Sequence, residues 1–218
     1  SPMQAEQYIG RLGLTCGLCA DRCGRAFLKA LWAQVMFPLP ANSISPWLRS
    51  TLLWWVQFML HQYQIERPVA QFARPHRISW TDACGETKKV CSMFFDGEAF
   101  WYTVWVVPDG ALARLLLRGD LYIGFEEFVG LVVTYTTSRS LLTGCLWTSF
   151  QDNMGVLSAV IKGSVGPTAL DCNVVIGQFW LGLALDQVGF HCHRVESAAN
   201  ASDQPTRDCF KIVSRFQM

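Results

Sequence analysis

The spacing of apolar residues first changes from helical to strand-like near residues 69–76, and this change limits the folds that the chain can adopt. Before it, residues 8–36 and 47–63 place apolar side chains at helical spacing. After it come three short runs rich in aromatic and β-branched residues, at 77–83, 90–95 and 99–107. We therefore predict a small helical module with its linker, residues 1–76, followed by a mixed α/β domain, residues 77–218.

Turn residues divide the second part into further elements. Asp96-Gly97 predicts a tight hairpin between the second and third strands, so the first three strands should form an antiparallel meander. Residues 124–138 carry a helical stripe, and 145–151 form a fourth strand. A helix at 153–162 should end at Gly163, and a longer one should run from Pro167 to about Gln187. A fifth strand follows at 191–195, which completes the order β-β-β-α-β-α-α-β.

Composition narrows the class of protein. Hydrophobic residues make up 51% and charged residues 16%, which is typical of a globular chain and not of a disordered one. The formal net charge of +1 gives no overall basic surface, so any nucleic-acid binding would depend on local basic groups. Nine scattered cysteines without a secretory signal predict an intracellular location, in cytoplasm or nucleus. The apolar run at 52–60 is too short to cross a bilayer, so no membrane is expected as a partner.

Four acidic residues stand at the ends of the predicted elements. Asp82 lies near the end of the first strand, Asp152 ends the fourth, Glu127 lies in the first turn of the helix after the meander, and Asp203 follows the last strand. If the first and fourth strands are neighbours, Asp82 and Asp152 are adjacent, and packed helices can bring the other two alongside. Carboxylate oxygens suit Mg²⁺ or Mn²⁺, and two such ions support phosphodiester hydrolysis. Each acid alone is more often structural, so their joint placement is the evidence.

The segments around these acids resemble the successive motifs of ribonuclease H domains in retroelement reverse transcriptases. The matching segments are Thr81-Asp82-Ala83-Cys84, Phe125-Glu126-Glu127-Phe128-Val129-Gly130, Asp152-Asn153-Met154-Gly155-Val156 with Lys162-Gly163-Ser164, and Asn200-Ala201-Ser202-Asp203 with Thr206-Arg207. Their order and spacing are most similar to those of long-terminal-repeat and DIRS-like retrotransposons. More loosely, Gly24-Arg25-Ala26-Phe27 and Leu53-Trp54-Trp55 resemble the connection region that precedes the nuclease in these enzymes.

The resemblance implies a ribonuclease H-like fold, a five-stranded mixed sheet with flanking helices, and a two-metal endonuclease. In that family such a site cleaves the RNA strand of RNA-DNA hybrids. The implied catalytic and metal-binding residues are Asp82, Glu127, Asp152 and Asp203, with two Mg²⁺ or Mn²⁺ ions. The Glu-x-x-small spacing, with Gly130, favours Glu127 over Glu126. The implied nucleic-acid contacts are Asn153, Lys162, Asn200 and Arg207. No polymerase palm motif is present, so this chain does not copy a template.

A second function stays open at this point. A retroelement-derived domain can serve as a structural or interaction subunit, with a larger polyprotein or protein assembly as its partner. The near-neutral charge, the nine Trp and fourteen Phe, and the missing polymerase favour this alternative. Retention of all four acids argues against it, because a scaffold has no physical need for carboxylates that repel each other.

Two further groups resemble metal sites and are interpreted otherwise. Cys16, Cys19 and Cys23 recur at helical spacing, but no fourth ligand stands nearby, so buried cysteines on one helix face are expected instead of zinc. His191 and His193 share a strand face, where solvated side chains are the expectation. Asn200-Ala201-Ser202 fits a glycosylation acceptor, an interpretation we reject because no secretory signal accompanies it.

Overall fold

A computed structural model describes residues 1–16, 21–40, 43–61, 74–116 and 122–211. The elements in this part of the chain are, in order, α1 (Pro2–Thr15), α2 (Asp21–Met36), α3 (Pro46–Leu60), β1 (His76–Cys84), β2 (Lys89–Phe95), β3 (Phe100–Val106), α4 (Asp109–Leu116), α5 (Tyr122–Thr137), α6 (Arg139–Leu142), β4 (Leu146–Gln151), α7 (Met154–Lys162), α8 (Leu170–Leu185), β5 (Gly189–Arg194), a 3-10 turn (Ser197–Ala199) and α9 (Asp203–Thr206). They form two units: Ser1–Arg67 with Ala159–Gln187, and Pro68–Ser158 with Val188–Met218. Most of the predicted linker, residues 69–73, lies outside the described residues.

The second unit is built on a five-stranded mixed sheet with the strand order β3-β2-β1-β4-β5. The first three strands are antiparallel, whereas β4 runs parallel to both β1 and β5. The β2–β3 turn is local in origin: Gly97 adopts a φ of 101°, and the Asp96 carboxylate accepts hydrogen bonds from the N–H groups of Glu98 and Ala99 at 2.9 and 2.8 Å. The predicted five-stranded mixed sheet with flanking helices is therefore confirmed. The first and fourth strands are neighbours, which is the condition under which Asp82 and Asp152 were expected to be adjacent.

A row of buried polar side chains fixes the middle of this sheet. The Ser79 hydroxyl donates to Ser149 Oγ across the β1–β4 pair at 2.9 Å and accepts a hydrogen bond from Trp147 Nε1, also at 2.9 Å. One step further along, the Gln151 amide donates to the Thr81 hydroxyl. A buried polar group without a partner costs about 1 to 3 kcal/mol, so a shifted register would be penalised several times over. This register determines the positions of the residues that follow each pair, Asp82 and Asp152.

Helix α5 lies against β1 and β2 at close range because Gly130 has no side chain. A Cβ atom on Gly130 would lie 3.1 Å from Val90 Cγ1 and 3.2 Å from Thr81 Cβ. One turn further on, the Thr134 hydroxyl lies 2.6 Å from Ser92 Oγ, and Leu131 is fully buried. The side of α5 that contacts the sheet carries Gly130 and Thr134, whereas most of the predicted apolar stripe, Phe125, Val129, Val132 and Val133, is only partly buried. The helix begins at Tyr122, so Glu127 lies in its second turn and not in its first turn as predicted.

The first unit contains α1, α2, α3 and α8. Phe27 stacks on Trp54 with ring centroids 3.9 Å apart, and Trp55 is buried beside them. Helix α8 packs against α2, because it is apolar on most of its surface and needs contact on more than one face. The domain boundary between residues 76 and 77 stays a prediction. Residues 159–187 belong to the same compact unit as the N-terminal helices. Among the described helices, none is both long and apolar enough to span a bilayer.

Three local features differ from the sequence prediction. Helix α4 begins at Asp109, where Pro108-Asp109-Gly110 predicted only the end of a strand, and the short helix α6 was not predicted. Helix α8 begins at Leu170 and not at Pro167. The buried Asn173 side chain explains this later start: it accepts from the Val165 N–H at 3.0 Å and lies 2.9 and 3.0 Å from the carbonyl oxygens of Gly166 and Ala169. These hydrogen bonds hold the loop at residues 165–169 in a non-helical conformation.

The α2–α8 contact gives a stability prediction. A Cβ atom on Gly177 would lie 2.9 Å from Cζ of the buried Phe27 ring, so Gly177→Ala should destabilise the chain by about 1 to 3 kcal/mol through overpacking. At Gly10, nothing lies within 4 Å of such an atom, so Gly10→Ala should stabilise helix α1 by up to about 1 kcal/mol. Urea unfolding of both variants measures the difference. Equal midpoints would contradict the close α2–α8 packing.

Candidate active site

Asp82 lies in β1 at 6% exposure, where its carboxylate is held by the segment that follows the last strand. The Thr206 hydroxyl lies 2.9 Å from Asp82 Oδ2 and 2.7 Å from the carbonyl oxygen of Asp203, and it donates to one of the two at a time. Burial raises the pKa of Asp82 to about 6, and the negative charges of Asp152 and Asp203 add to this rise. The hydrogen bond from Thr206 acts against it.

Asp152 directly follows the last residue of β4 and continues the register of the β1–β4 pair. Trp80 pairs with Phe150 in this parallel ladder, so two further residues bring Asp82 level with Asp152. Asn153 then begins helix α7: its side-chain oxygen accepts from the N–H groups of Gly155 and Val156 at 2.8 and 3.2 Å. Asp152 therefore lies at the carboxyl end of the inner strand β4. The Asn153 cap begins helix α7 immediately after it.

Glu127 lies on α5 and is the third acid of the group. It is 7% exposed, and burial raises its pKa to about 7, with contributions from the charges of Asp152 and Asp82. A hydrogen bond from the Asn153 side chain opposes this rise, while Glu127 Oε2 is buried without a hydrogen-bond partner. The electrostatic coupling therefore joins Glu127 to both strand-end aspartates.

The neighbouring Glu126 has different surroundings. It is 2% exposed and both of its carboxylate oxygens lack a hydrogen-bond partner. Burial raises its pKa, and no charge of the aspartates contributes to that rise. Of the two glutamates at the start of α5, Glu127 is the one that interacts with the acid group, in agreement with the Glu-x-x-small spacing.

Asp203 is the first residue of α9, and its charge reaches Asp82. Arg207 Nε donates to Asp203 Oδ1 at 3.1 Å on the exposed side of the short helix. Asn200 anchors this segment on the sheet: it is 4% exposed, its side-chain nitrogen donates to the Thr81 carbonyl oxygen at 3.1 Å, and its oxygen accepts from Ser202. The four predicted acids thus belong to one unit and influence each other's charge.

The predicted nucleic-acid contacts fall in different places. Arg207 is exposed beside Asp203, whereas Asn153 and Asn200 direct their hydrogen bonds to the protein itself. Lys162 is exposed at the end of α7, in the part of the chain that packs with the N-terminal helices and not in the unit that holds the acids.

Thr206 and Thr87 are site residues that the sequence analysis did not select. Thr87 Oγ1 donates to the Thr206 carbonyl oxygen at 2.6 Å, so the β1–β2 turn holds the residue whose hydroxyl meets Asp82. An ion pair between Lys89 and Asp208 fastens the same segment. More than 100 residues separate the partners of these contacts, as the 119-residue spacing of Thr87 and Thr206 shows. Thr206 lies in one of the matched segments but was not selected as a site residue, and Thr87 had no signal in the sequence.

The four acids are electrostatically coupled to one another. Within the described part of the chain, no group of three or more His, Cys, Asp or Glu residues is arranged to hold a metal. The donor chemistry nevertheless suits a hard cation, since Asp82, Glu127, Asp152 and Asp203 offer only oxygen atoms and Glu127 Oε2 has no partner.

The two other groups that resemble metal sites have simpler surroundings. Cys16 and Cys23 are buried in the helical unit and form no disulfide, while Cys19 lies outside the described residues. His191 and His193 are exposed on one face of β5.

Comparison of the chain with models of known protein families and with curated proteins finds no match. The functional assignment therefore depends on the motifs and on the arrangement of the four acids.

Proposed function

We propose that this chain is a metal-dependent endonuclease of the ribonuclease H type, derived from a retroelement reverse transcriptase, that cleaves the RNA strand of RNA-DNA hybrids. The observation that carries the proposal is the coupling of Asp82 to Asp152, Asp203 and Glu127, four acids contributed by β1, the end of β4, α9 and α5. Burying acids that repel each other destabilises a fold, so such a group is explained best by a bound cation.

The residues around the acids support this chemistry. Bound at these oxygens, two Mg²⁺ ions would supply an activated water and neutralise charge on the leaving oxygen. Asp82 and Asp152 would be shared ligands, and Glu127 and Asp203 would complete the set. Thr206 and Asn153 hold Asp82 and Glu127 by hydrogen bonds. Because the pKa values of Asp82 and Glu127 are raised to about 6 and about 7, both acids would lose any remaining proton when a cation binds.

Recognition of the hybrid would depend mainly on backbone shape and on the 2′-hydroxyl groups of the RNA strand. Arg207, exposed beside Asp203, is the predicted contact best placed to meet a phosphate close to the acids. Asn153 and Asn200 serve this proposal by positioning Glu127 and the α9 segment, because their hydrogen bonds are directed to the protein.

A gel assay with an end-labelled hybrid tests the proposed activity. The full chain should cut the RNA strand in Mg²⁺ or Mn²⁺ and leave it intact in EDTA. Duplex DNA and duplex RNA of the same sequence serve as substrate controls and should stay uncut. Absence of cleavage with either ion, together with no increase in melting temperature on adding either ion, would rule the proposal out.

One observation favours the alternative function as a structural subunit. On the edge strand β3, Trp101, Tyr102 and Val106 are 55%, 47% and 55% exposed, and an edge strand with apolar side chains is a surface on which protein partners assemble. As a subunit, the chain would neither cleave the hybrid nor respond to Mg²⁺. The same assay and melting experiment therefore separate the two functions.

A further inference from the structure

Helix α2 carries three basic residues on one face. Arg22, Arg25 and Lys29 follow each other at intervals of three and four residues, the spacing at which helical side chains become neighbours. Arg25 is exposed, and Arg22 and Lys29 are partly buried. With a rise of about 1.5 Å per residue, this face extends over roughly 10 Å of the helix.

The end of α7 brings a fourth cation to the same unit. Lys162 is the last residue of α7, and Gly163 follows it with a φ of 71°. A Cβ atom on Gly163 would lie 2.7 Å from Arg22 Cβ and 3.0 Å from the Arg22 carbonyl oxygen, so this turn lies directly against α2. Trp180 fixes the arrangement: its Nε1 donates to the Val160 carbonyl oxygen at 3.1 Å, and the Arg22 guanidinium lies 4.7 Å from its ring centroid. We call Arg22, Arg25, Lys29 and Lys162 the basic cluster.

The basic cluster has an excess of positive charge that the described residues do not balance. Burial and the charge of Lys162 both lower the pKa of Lys29, which indicates that the two ammonium groups repel each other. None of the four cations of the cluster forms an ion pair with a carboxylate among the described side chains, whereas Lys88, Lys89 and Arg207, for example, do form such pairs. Cations held together without a counter-ion in the described part of the chain form a suitable site for an anion.

We propose that the basic cluster binds the phosphodiester backbone of a nucleic acid. Phosphates of one strand follow each other at about 3.4 Å along a duplex axis, so a face of roughly 10 Å meets more than one of them. A single free phosphate would contact only part of this surface. The identification of this nucleic acid as the RNA-DNA hybrid rests on the proposed function. The presence of an anion site is independent of that function.

Fluorescence anisotropy with a short labelled hybrid in EDTA tests this site while cleavage is prevented. The double variant Arg25→Gln with Lys162→Gln should raise the Kd about tenfold or more and reduce the salt slope of log Kd by about 2, because each phosphate contact contributes about 0.9. The double variant Arg11→Gln with Arg49→Gln is the matched control. It removes the same charge from exposed positions of the same unit and should bind almost as the native chain does.

The stability of the variants provides a second measurement. Because Lys162 repels Lys29, Lys162→Gln should leave the melting temperature unchanged or raise it. A weaker Kd in a variant that melts like the native chain can then be assigned to lost contacts and not to unfolding.

Three results would overturn the proposal. The first is a double variant of the cluster that binds the hybrid as tightly as the control variant. The second is inorganic phosphate that displaces the hybrid at an equal phosphate concentration, and the third is an acidic peptide that binds the cluster more tightly than the hybrid. A chain that binds through the cluster but never cleaves in Mg²⁺ would contradict only the proposed nuclease function, so the two failures are distinguishable.

Discussion

Replacing Asp152 with asparagine is expected to lower the rate of hybrid cleavage at least about a thousandfold, because a metal ligand supports several kcal/mol of transition-state stabilisation and each 1.36 kcal/mol is a factor of ten. The same change should leave the metal-free chain as stable as before, or slightly more stable. Asp152 contributes to the raised pKa values of Asp82 and Glu127, so its neutralisation removes repulsion with little change of shape.

Initial cleavage rates in excess Mg²⁺ and urea unfolding in EDTA measure the two effects of Asp152→Asn. Asp109→Asn is the control, since Asp109 is 92% exposed at the start of α4 and lies in the same unit. Mg²⁺ should also raise the melting temperature of the native chain more than that of the Asp152 variant, as expected for a ligand that binds only the folded state. An Asp152 variant that cleaves at a rate close to the native one would show that Asp152 is not a metal ligand.

The stability of the metal-free chain is expected to fall as the pH rises from about 4 to about 7.5. Asp82 and Glu127 have pKa values of about 6 and about 7 in the folded chain, above the ordinary values of 3.8 and 4.5. The folded chain therefore binds more protons than the unfolded chain in this interval, and the free energy of unfolding decreases with pH. The stabilisation from the two protonated acids is fully present below about pH 4 and is lost above about pH 7, a change on the order of 5 kcal/mol.

Urea unfolding in EDTA across this pH range measures the effect. The variants Asp82→Asn and Glu127→Gln should each flatten the profile, since each removes one titrating acid. Glu98→Gln, on an exposed hairpin residue of the same unit, is the control and should keep the native profile. Mg²⁺ should restore stability mainly at the alkaline end, where the acids are ionised. A native profile that rises with pH would show that these acids are not held in a repulsive, buried group.

Local sequence signals were sufficient to predict the elements of the sheet and to identify its acids. Alternating apolar residues, the Asp96-Gly97 turn and Gly163 are local signals, because they act on backbone conformation within a few residues. They predicted five strands and most of the helices. The acids were identifiable because they stand at element ends, and a parallel pairing of β1 and β4 was sufficient to make Asp82 and Asp152 neighbours.

The distant residues that support those acids, and the grouping of the helices, became visible only in the folded chain. Thr206 meets Asp82 across 124 residues of sequence, and Lys162 approaches Lys29 because Gly163 lets the end of α7 lie against Arg22. Helix α8 begins where the hydrogen bonds of the buried Asn173 amide allow, and not at Pro167. Because α8 is apolar on most of its surface, it packs against α2. Such contacts depend on burial and close approach between residues that are far apart in the chain, and no local spacing encodes them.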